Sequence, residues 1–158
     1  MYDVNLIPIN NNQFIYLGAY SLYDTDFINK YNIKYAIDLS NEINYKIKNI
    51  DYYMKYNYVY DSPIQNILDI IPTCVEFIDE SLNTHNNILV NCFAGISRSS
   101  SIVLAYLMYY DVKYKNIPAN LLRSLNHIKQ YRNIVNPNYG FINQLYKYEN
   151  MLNNKFFH

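Results

Sequence analysis

Glycine is almost missing from this chain: three residues in 158, at Gly18, Gly95 and Gly140. Arginine is as scarce, at Arg98, Arg123 and Arg132. Cysteine is limited to Cys74 and Cys92, too few for a disulfide scaffold in a domain of this size. The chain is therefore expected in a reducing compartment, cytoplasmic or nuclear. There is no excess of either charge: the formal net charge is zero and the pI is near 6.8. That balance argues against nucleic-acid and acidic-membrane partners. No apolar run reaches the roughly 18 residues of a membrane span. No basic start followed by an apolar stretch opens the sequence, so no secretory signal is expected.

What is present fits a globular protein. Half of the residues are hydrophobic (51%), and one domain is expected over residues 1–158, with no linker in view. Twenty tyrosines and 25 asparagines stand out. Coding bias accounts for them without function, and the scattered tyrosines supply amphipathic packing.

One segment collects the scarce residues. Asn91-Cys92-Phe93-Ala94-Gly95-Ile96-Ser97-Arg98-Ser99 holds one cysteine, one glycine and one arginine, with five residues between Cys92 and Arg98. Upstream, Ile88-Leu89-Val90 reads as a buried strand. Downstream, residues 99–110 contain no Gly or Pro and are apolar almost all round, which predicts a central helix. A strand, a tight loop and a helix N-terminus make an anion site, because the first helical N–H groups are free and carry partial positive charge. Loop N–H groups add a concave nest. A thiolate beside such positive charge is a nucleophile, and this places Cys92 to attack phosphorus. Arg98 offers a planar fork for phosphate oxygens and for the charge of the transferring group. Ser99 is placed to donate to the Cys92 sulfur when it leaves. Phe93, Ala94, Gly95, Ile96 and Ser97 supply the substrate-binding backbone, with the Ser97 N–H expected to reach the phosphate.

Displacement also requires an acid and a base. Asp61, 31 residues before Cys92 in Tyr60-Asp61-Ser62-Pro63, is the candidate. Ser62 precedes a proline and is biased to extended geometry, so this is a loop. Asp61 also reads as a turn residue or a cap.

The coarse order is strands near 6–9, 14–17, 35–39, 56–60 and 88–91, and helices near 25–31, 67–81, 99–110, 118–131 and 137–152. Asn10-Asn11-Asn12 reads as a turn between the first two strands. Pro72 marks either a first turn or a kink. The mixture is an α/β domain.

These motifs resemble the dual-specificity phosphatases of the cysteine-based protein tyrosine phosphatase superfamily. The signature of that family is His-Cys, five residues, then Arg-Ser. Tyr16-Leu17-Gly18, Phe77-Ile78-Asp79-Glu80, Ala105-Tyr106-Leu107-Met108 and Asn136-Pro137-Asn138-Tyr139-Gly140-Phe141, with Gln144-Leu145 and Tyr148-Glu149, are similar to its flanking elements. All three glycines fall on family positions. The resemblance implies a central mixed sheet of about five strands, with helices on both faces but mostly on one side. The phosphate loop would lie at its carboxyl edge, between the strand near 88–91 and the helix near 99–110. It further implies hydrolysis of phosphotyrosine and phosphoserine/threonine in phosphorylated proteins through a cysteinyl phosphate, a shallow pocket, and no metal or cofactor.

One departure is Asn91, where the family has histidine. The resemblance implies that the histidine bonds the loop backbone and helps keep the thiolate. An Asn amide donates similarly but brings no charge. A pseudophosphatase that binds phosphoproteins is the alternative this raises. Phosphoinositide or RNA 5′-phosphate substrates are a third reading, against which residues 93–97 carry no Lys or Arg.

The remaining polar residues read as follows. Cys74 lies on an apolar helical stripe and reads as core, with a redox pairing to Cys92 as the alternative. Arg132 reads as a charge near a helix C-terminus or as part of the substrate groove. Asp24 and Asp26 read as helix caps. His85 reads as turn and His127 as helix surface, without metal spacing to the cysteines. Oligomeric state is not legible.

Overall fold

A computed structural model of the chain describes residues 2–20, 25–44 and 46–158. Ten elements follow one another: β1 (Val4–Pro8), β2 (Phe14–Ala19), α1 (Thr25–Lys30), β3 (Ile33–Asp38), β4 (Tyr52–Lys55), α2 (Ile71–Asn83), β5 (Asn87–Cys92), α3 (Arg98–Tyr114), α4 (Leu121–Tyr131) and α5 (Tyr139–Phe157). The sheet order is β1-β2-β5-β3-β4. β1 and β2 form an antiparallel hairpin through the Asn10-Asn11-Asn12 turn, closed by Ile9 N–H to Gln13 C=O at 2.8 Å. The other pairs are parallel. The expected mixed five-stranded sheet is therefore present.

β5 lies between β2 and β3, which are consecutive strands in the chain. The strand order reverses there, and open α/β sheets bind ligands outside the carboxyl ends of their strands at such a point. Cys92 ends β5.

Alternation along the strands divides the core. Tyr35, Ile37, Ile88, Val90 and Cys92 face a large cluster that also contains buried side chains of α2, α3, α4 and α5. Tyr16, Ala36 and Leu89 face a smaller one with Phe27 and Ile28 of α1. Helices thus cover both faces, mostly one. α3 is buried on every side from Arg98 to Met108, as its all-round apolar sequence requires. Ser100 and Ser101 enter this core by bonding back to the Ile96 and Ser97 carbonyls.

Several boundaries differ from expectation. The fourth strand is Tyr52–Lys55 and not residues 56–60. Tyr52 through Lys55 register against Tyr35 through Asp38, whereas Tyr56 keeps a single bond to the Asp38 carbonyl (2.9 Å). Beyond it the chain runs toward Asp61 with no further ladder. α2 starts at Ile71, so Pro72 stands in its first turn and not at a kink. α4 and α5 start after Asn120 and Asn138, whose side chains accept from the N–H three residues on. Asp26 lies in the first turn of α1, and Asp24 is outside the described residues. Among the described residues no helix is long and apolar enough to cross a membrane.

Candidate active site

The loop from β5 to α3 turns at Gly95, whose φ of +64° only glycine adopts freely. A Cβ there would lie 2.7 Å from the Gly18 backbone and from Arg132 Nη2. The loop thus closes tightly over Cys92. The Cys92 sulfur stands 3.1 Å from Ser99 Oγ and accepts from the Gly95 N–H at 3.3 Å.

The helix end is left open to an anion. Ser97 is the N-cap of α3 but makes no capping bond. Its hydroxyl donates to Asp61 Oδ1 at 2.7 Å and accepts from the Asn138 N–H at 3.1 Å. An N-cap that does not use its oxygen leaves the first N–H groups of the helix unclaimed by a side chain.

Arg98 is 4% exposed, and Glu42 grips its outer edge: Nη2 to Oε1 at 2.7 Å and Nη1 to Oε2 at 3.1 Å. Nη1 also donates to Leu39 O (3.1 Å) and Asn41 Oδ1 (2.7 Å). Nε is buried and has no hydrogen-bond partner. A guanidinium has five N–H donors. The edge formed by Nε–H and the second Nη2–H therefore remains for a phosphate, with the orientation fixed by Glu42. Burial alone would lower the Arg98 pKa, but the Glu42 hydrogen bonds and the charges of Glu42, Cys92 and Asp61 outweigh it and raise it. Burial pushes the Glu42 carboxyl up, yet the Arg98 hydrogen bonds and charge, together with backbone N–H groups of residues 41 and 42, more than reverse this and hold it below its ordinary value.

Asp61 reaches the site from a loop mounted on α5. Asn138 Nδ2 donates to Asp61 Oδ1 at 2.9 Å. Gln144 Oε1 accepts from Ile67 N–H (2.7 Å) and Leu68 N–H (3.1 Å), and its Nε2 donates to Gln65 O (2.8 Å). At Gly140 a Cβ would sit 1.9 Å from the Pro63 carbonyl oxygen, so helix and acid loop touch through backbone alone. This glycine-dependent contact thus also serves the site.

Arg132 supports the loop that follows Cys92. It is the C-cap of α4, 3% exposed, and clamps the phosphate loop through Nε to Gly95 O (2.8 Å) and Nη2 to Ala94 O (3.1 Å). Its Nη1 is held by Asp3 and Asn5, each at 2.8 Å.

Asn91 has a partner in the neighbouring strand. It pairs with Asp38 across β5 and β3 and donates Nδ2 to Asp38 Oδ1 at 3.1 Å. Asp38 is in turn bonded by Tyr53 Oη (2.7 Å) and Lys55 Nζ (2.8 Å). Cys74 is fully buried and touches Tyr56 Oη at 3.6 Å. Burial pushes its thiol up to about 12, which suits a core residue. His127 is half-buried on α4, and its Nε2 lies 2.7 Å from Pro8 O. His85 sits in a turn with φ +58°.

Sequence reasoning passed over Glu42, Asn138 and Gln144 as site residues. Asn138 and Gln144 stood inside a noted motif. Glu42 had no signal beyond the rule that a buried arginine needs a carboxylate.

Comparison with known proteins identifies the family and the fold. The family model for the dual specificity phosphatase catalytic domain matches residues 15–151. The chain is 38% identical over 90 residues to serine/threonine/tyrosine-interacting protein A of Xenopus laevis, covering 56% of this chain and 37% of that protein. It is 32% identical over 140 residues to dual specificity protein phosphatase 1 of Arabidopsis thaliana, covering 88% and 67%. The solved structure of the human tyrosine phosphatase-like serine/threonine/tyrosine-interacting protein superposes with a TM-score of 0.78 at 27% identity, over 96% of this chain and 98% of that one. The chain spans little more than a third of the first curated relatives it matches.

Proposed function

The chain belongs to the dual specificity phosphatase family, and from that premise we propose that it hydrolyses phosphotyrosine and phosphoserine/threonine in proteins through a cysteinyl phosphate. The thiolate of Cys92 attacks phosphorus in line, and the bond from phosphorus to the ester oxygen breaks. Protonated Asp61 gives its proton to the departing oxygen. Arg98 holds two non-bridging oxygens with Nε–H and its free Nη2–H, and the loop N–H groups hold the rest. Asp61, now a carboxylate, takes a proton from water as the water attacks phosphorus. The sulfur–phosphorus bond then breaks, with Ser99 donating to the departing thiolate, and inorganic phosphate leaves.

The observation that carries this reading is the bond from Ser97 Oγ to Asp61. It joins a loop carrying an acid to the loop carrying the nucleophile, across 36 residues of sequence. The rim supports protein substrates. Phe93 is 44% exposed and stacked on Tyr20 (4.9 Å, 10°), and Tyr60 and Tyr139 are exposed beside Asp61 and Asn138. An aromatic rim suits a peptide and a phosphotyrosine ring, whereas a polyanionic lipid or RNA end calls for added cations.

Turnover of an aryl phosphate and of matched phosphotyrosine and phosphothreonine peptides tests the proposal. Wild type turns over all three. Cys92→Ser abolishes turnover, and Asp61→Asn lowers kcat by about a hundredfold or more. Normal turnover by Cys92→Ser overturns the mechanism.

Asn91 favours a second reading, a module that binds phosphoproteins with little turnover, because a neutral amide bound to Asp38 replaces the charged partner of the family. The Xenopus laevis and human relatives are themselves named as interacting proteins. Absence of turnover in both wild type and Asn91→His, with phosphopeptide binding retained, selects that reading.

A further inference from the structure

Lys55 makes more bonds than its ion pair requires. It is the last residue of β4 and stands opposite Asp38, the last residue of β3. Its Nζ lies 2.8 Å from Asp38 Oδ2; the lysine side chain is 15% exposed and Asp38 is fully buried. A buried carboxylate needs a cation, and that accounts for this one bond. The others go to the loop that leaves β3. Nζ donates to Ser40 O (2.5 Å) and Ile43 O (3.1 Å), and Ser40 Oγ lies 3.2 Å away. An ammonium is a compact point of three donors, which suits oxygens that converge from several directions.

The position of those carbonyls gives the bonds a consequence. Residues 40–44 belong to no helix or strand, so their carbonyls need partners other than a ladder. Between the two carbonyls that Lys55 holds stand Asn41 and Glu42. Their side chains grip Arg98. Asn41 Oδ1 accepts from Nη1 at 2.7 Å, and the Glu42 carboxylate takes Nη2 and Nη1 at 2.7 and 3.1 Å. The Glu42 side chain is 40% exposed, so its place depends on the loop backbone more than on packing. A cation that served only to neutralise Asp38 would need neither carbonyl.

We propose that Lys55 is a positioning residue for Arg98. By tying Ser40 O to Ile43 O it fixes the bend that carries Asn41 and Glu42, and through them the edge that Arg98 presents to phosphate. Asp38 anchors the ammonium at the end of the sheet. The proposal rests on the reading of Arg98 as the phosphate-binding arginine, and its test does not require turnover.

Lys55→Met alone strands a buried carboxylate and endangers the fold. The comparison is therefore made in Asp38→Asn protein, where the lysine keeps its carbonyls. Tungstate binding is measured by titration calorimetry for Asp38→Asn and for the same protein with Lys55→Met, Glu42→Ala or both added. Lys55→Met should weaken tungstate binding about tenfold while Glu42 is present, and about threefold or less after Glu42→Ala, because the two residues act through one guanidinium. A lysine that merely stabilised the fold would lower the melting temperature and weaken binding by the same factor in both backgrounds. That outcome, or unchanged affinity on Lys55→Met, overturns the proposal. Turnover of an aryl phosphate by wild type is read beside it. The predicted tungstate pattern without turnover keeps the positioning role and removes the phosphatase reading, whereas turnover with equal factors does the reverse.

Discussion

The phosphate loop and the acid loop meet at Ser97 but are supported in different ways. The phosphate loop is buried at Cys92, Gly95, Ser97 and Arg98 and exposed at Phe93. A buried arginine, Arg132, grips its carbonyls, Gly95 presses on the Gly18 backbone, and Glu42 fixes Arg98 beside it. The acid loop is exposed at Asp61 and rests on one helix through Asn138, Gly140 and Gln144. An oxyanion cradle must keep its geometry through both chemical steps, because preorganised donors stabilise a transition state without reorganising. An acid must meet substrate and water in turn, so it needs a seat and not a cage.

The same contrast separates two buried arginines. Arg98 leaves one edge without a protein partner, whereas Arg132 has partners on Nε, Nη1 and Nη2. Arg98→Lys should cost about a thousandfold in kcat with little change in stability, because a point charge cannot replace a fork oriented by Glu42. Steady-state kinetics beside thermal unfolding will read both. Arg132→Ala should do the reverse. Loss of two buried bonds to carbonyls destabilises by about 2–4 kcal/mol, measured by denaturant unfolding, while kcat falls less than for Arg98→Lys. Equal loss of activity in the two variants would erase the distinction between front and back of the loop.

Gly140→Ala sharpens the comparison of the two loops. Its new Cβ collides with the Pro63 carbonyl, so the acid loop must move while the phosphate loop stays. A fall in kcat of about tenfold with unchanged inhibition by an oxyanion such as tungstate is expected. The smallest effect belongs to Glu42→Gln. The Glu42 pKa is depressed in the folded state, so its pairing stabilises above the ordinary carboxylate value of about 4.3 and is lost as pH falls through the lowered one. Glu42 is partly exposed, so the difference from wild type should be only about 1 kcal/mol at pH 7 and should vanish in acid.

The core of the site was legible because chemistry constrains sequence there. The spacing of Cys92 and Arg98, and the apolar run after it, give a strand, a loop and a buried helix without a partner in view. The supports were less legible because each depends on what lies opposite. Arg132 reads alike as a surface charge or a clamp until the Gly95 carbonyl is set beside it. Glu42 sits in a turn, with no periodicity to mark it. The fourth strand shifted because Tyr52–Lys55 and residues 56–60 are similar tyrosine-rich stretches, and only pairing with β3 chooses between them. The last two helices start later than 118 and 137, at the caps Asn120 and Asn138, whose side chains accept from the N–H three residues on.

The central claim is that Cys92 carries the phosphoryl group between two steps. Rapid acid quench of the protein with an aryl phosphate, followed by mass spectrometry of the peptide containing Cys92, tests it most directly. A phosphate adduct on Cys92 in wild type, absent in Cys92→Ser, is the predicted result; turnover by wild type with no adduct at Cys92, or with an adduct elsewhere, would contradict it.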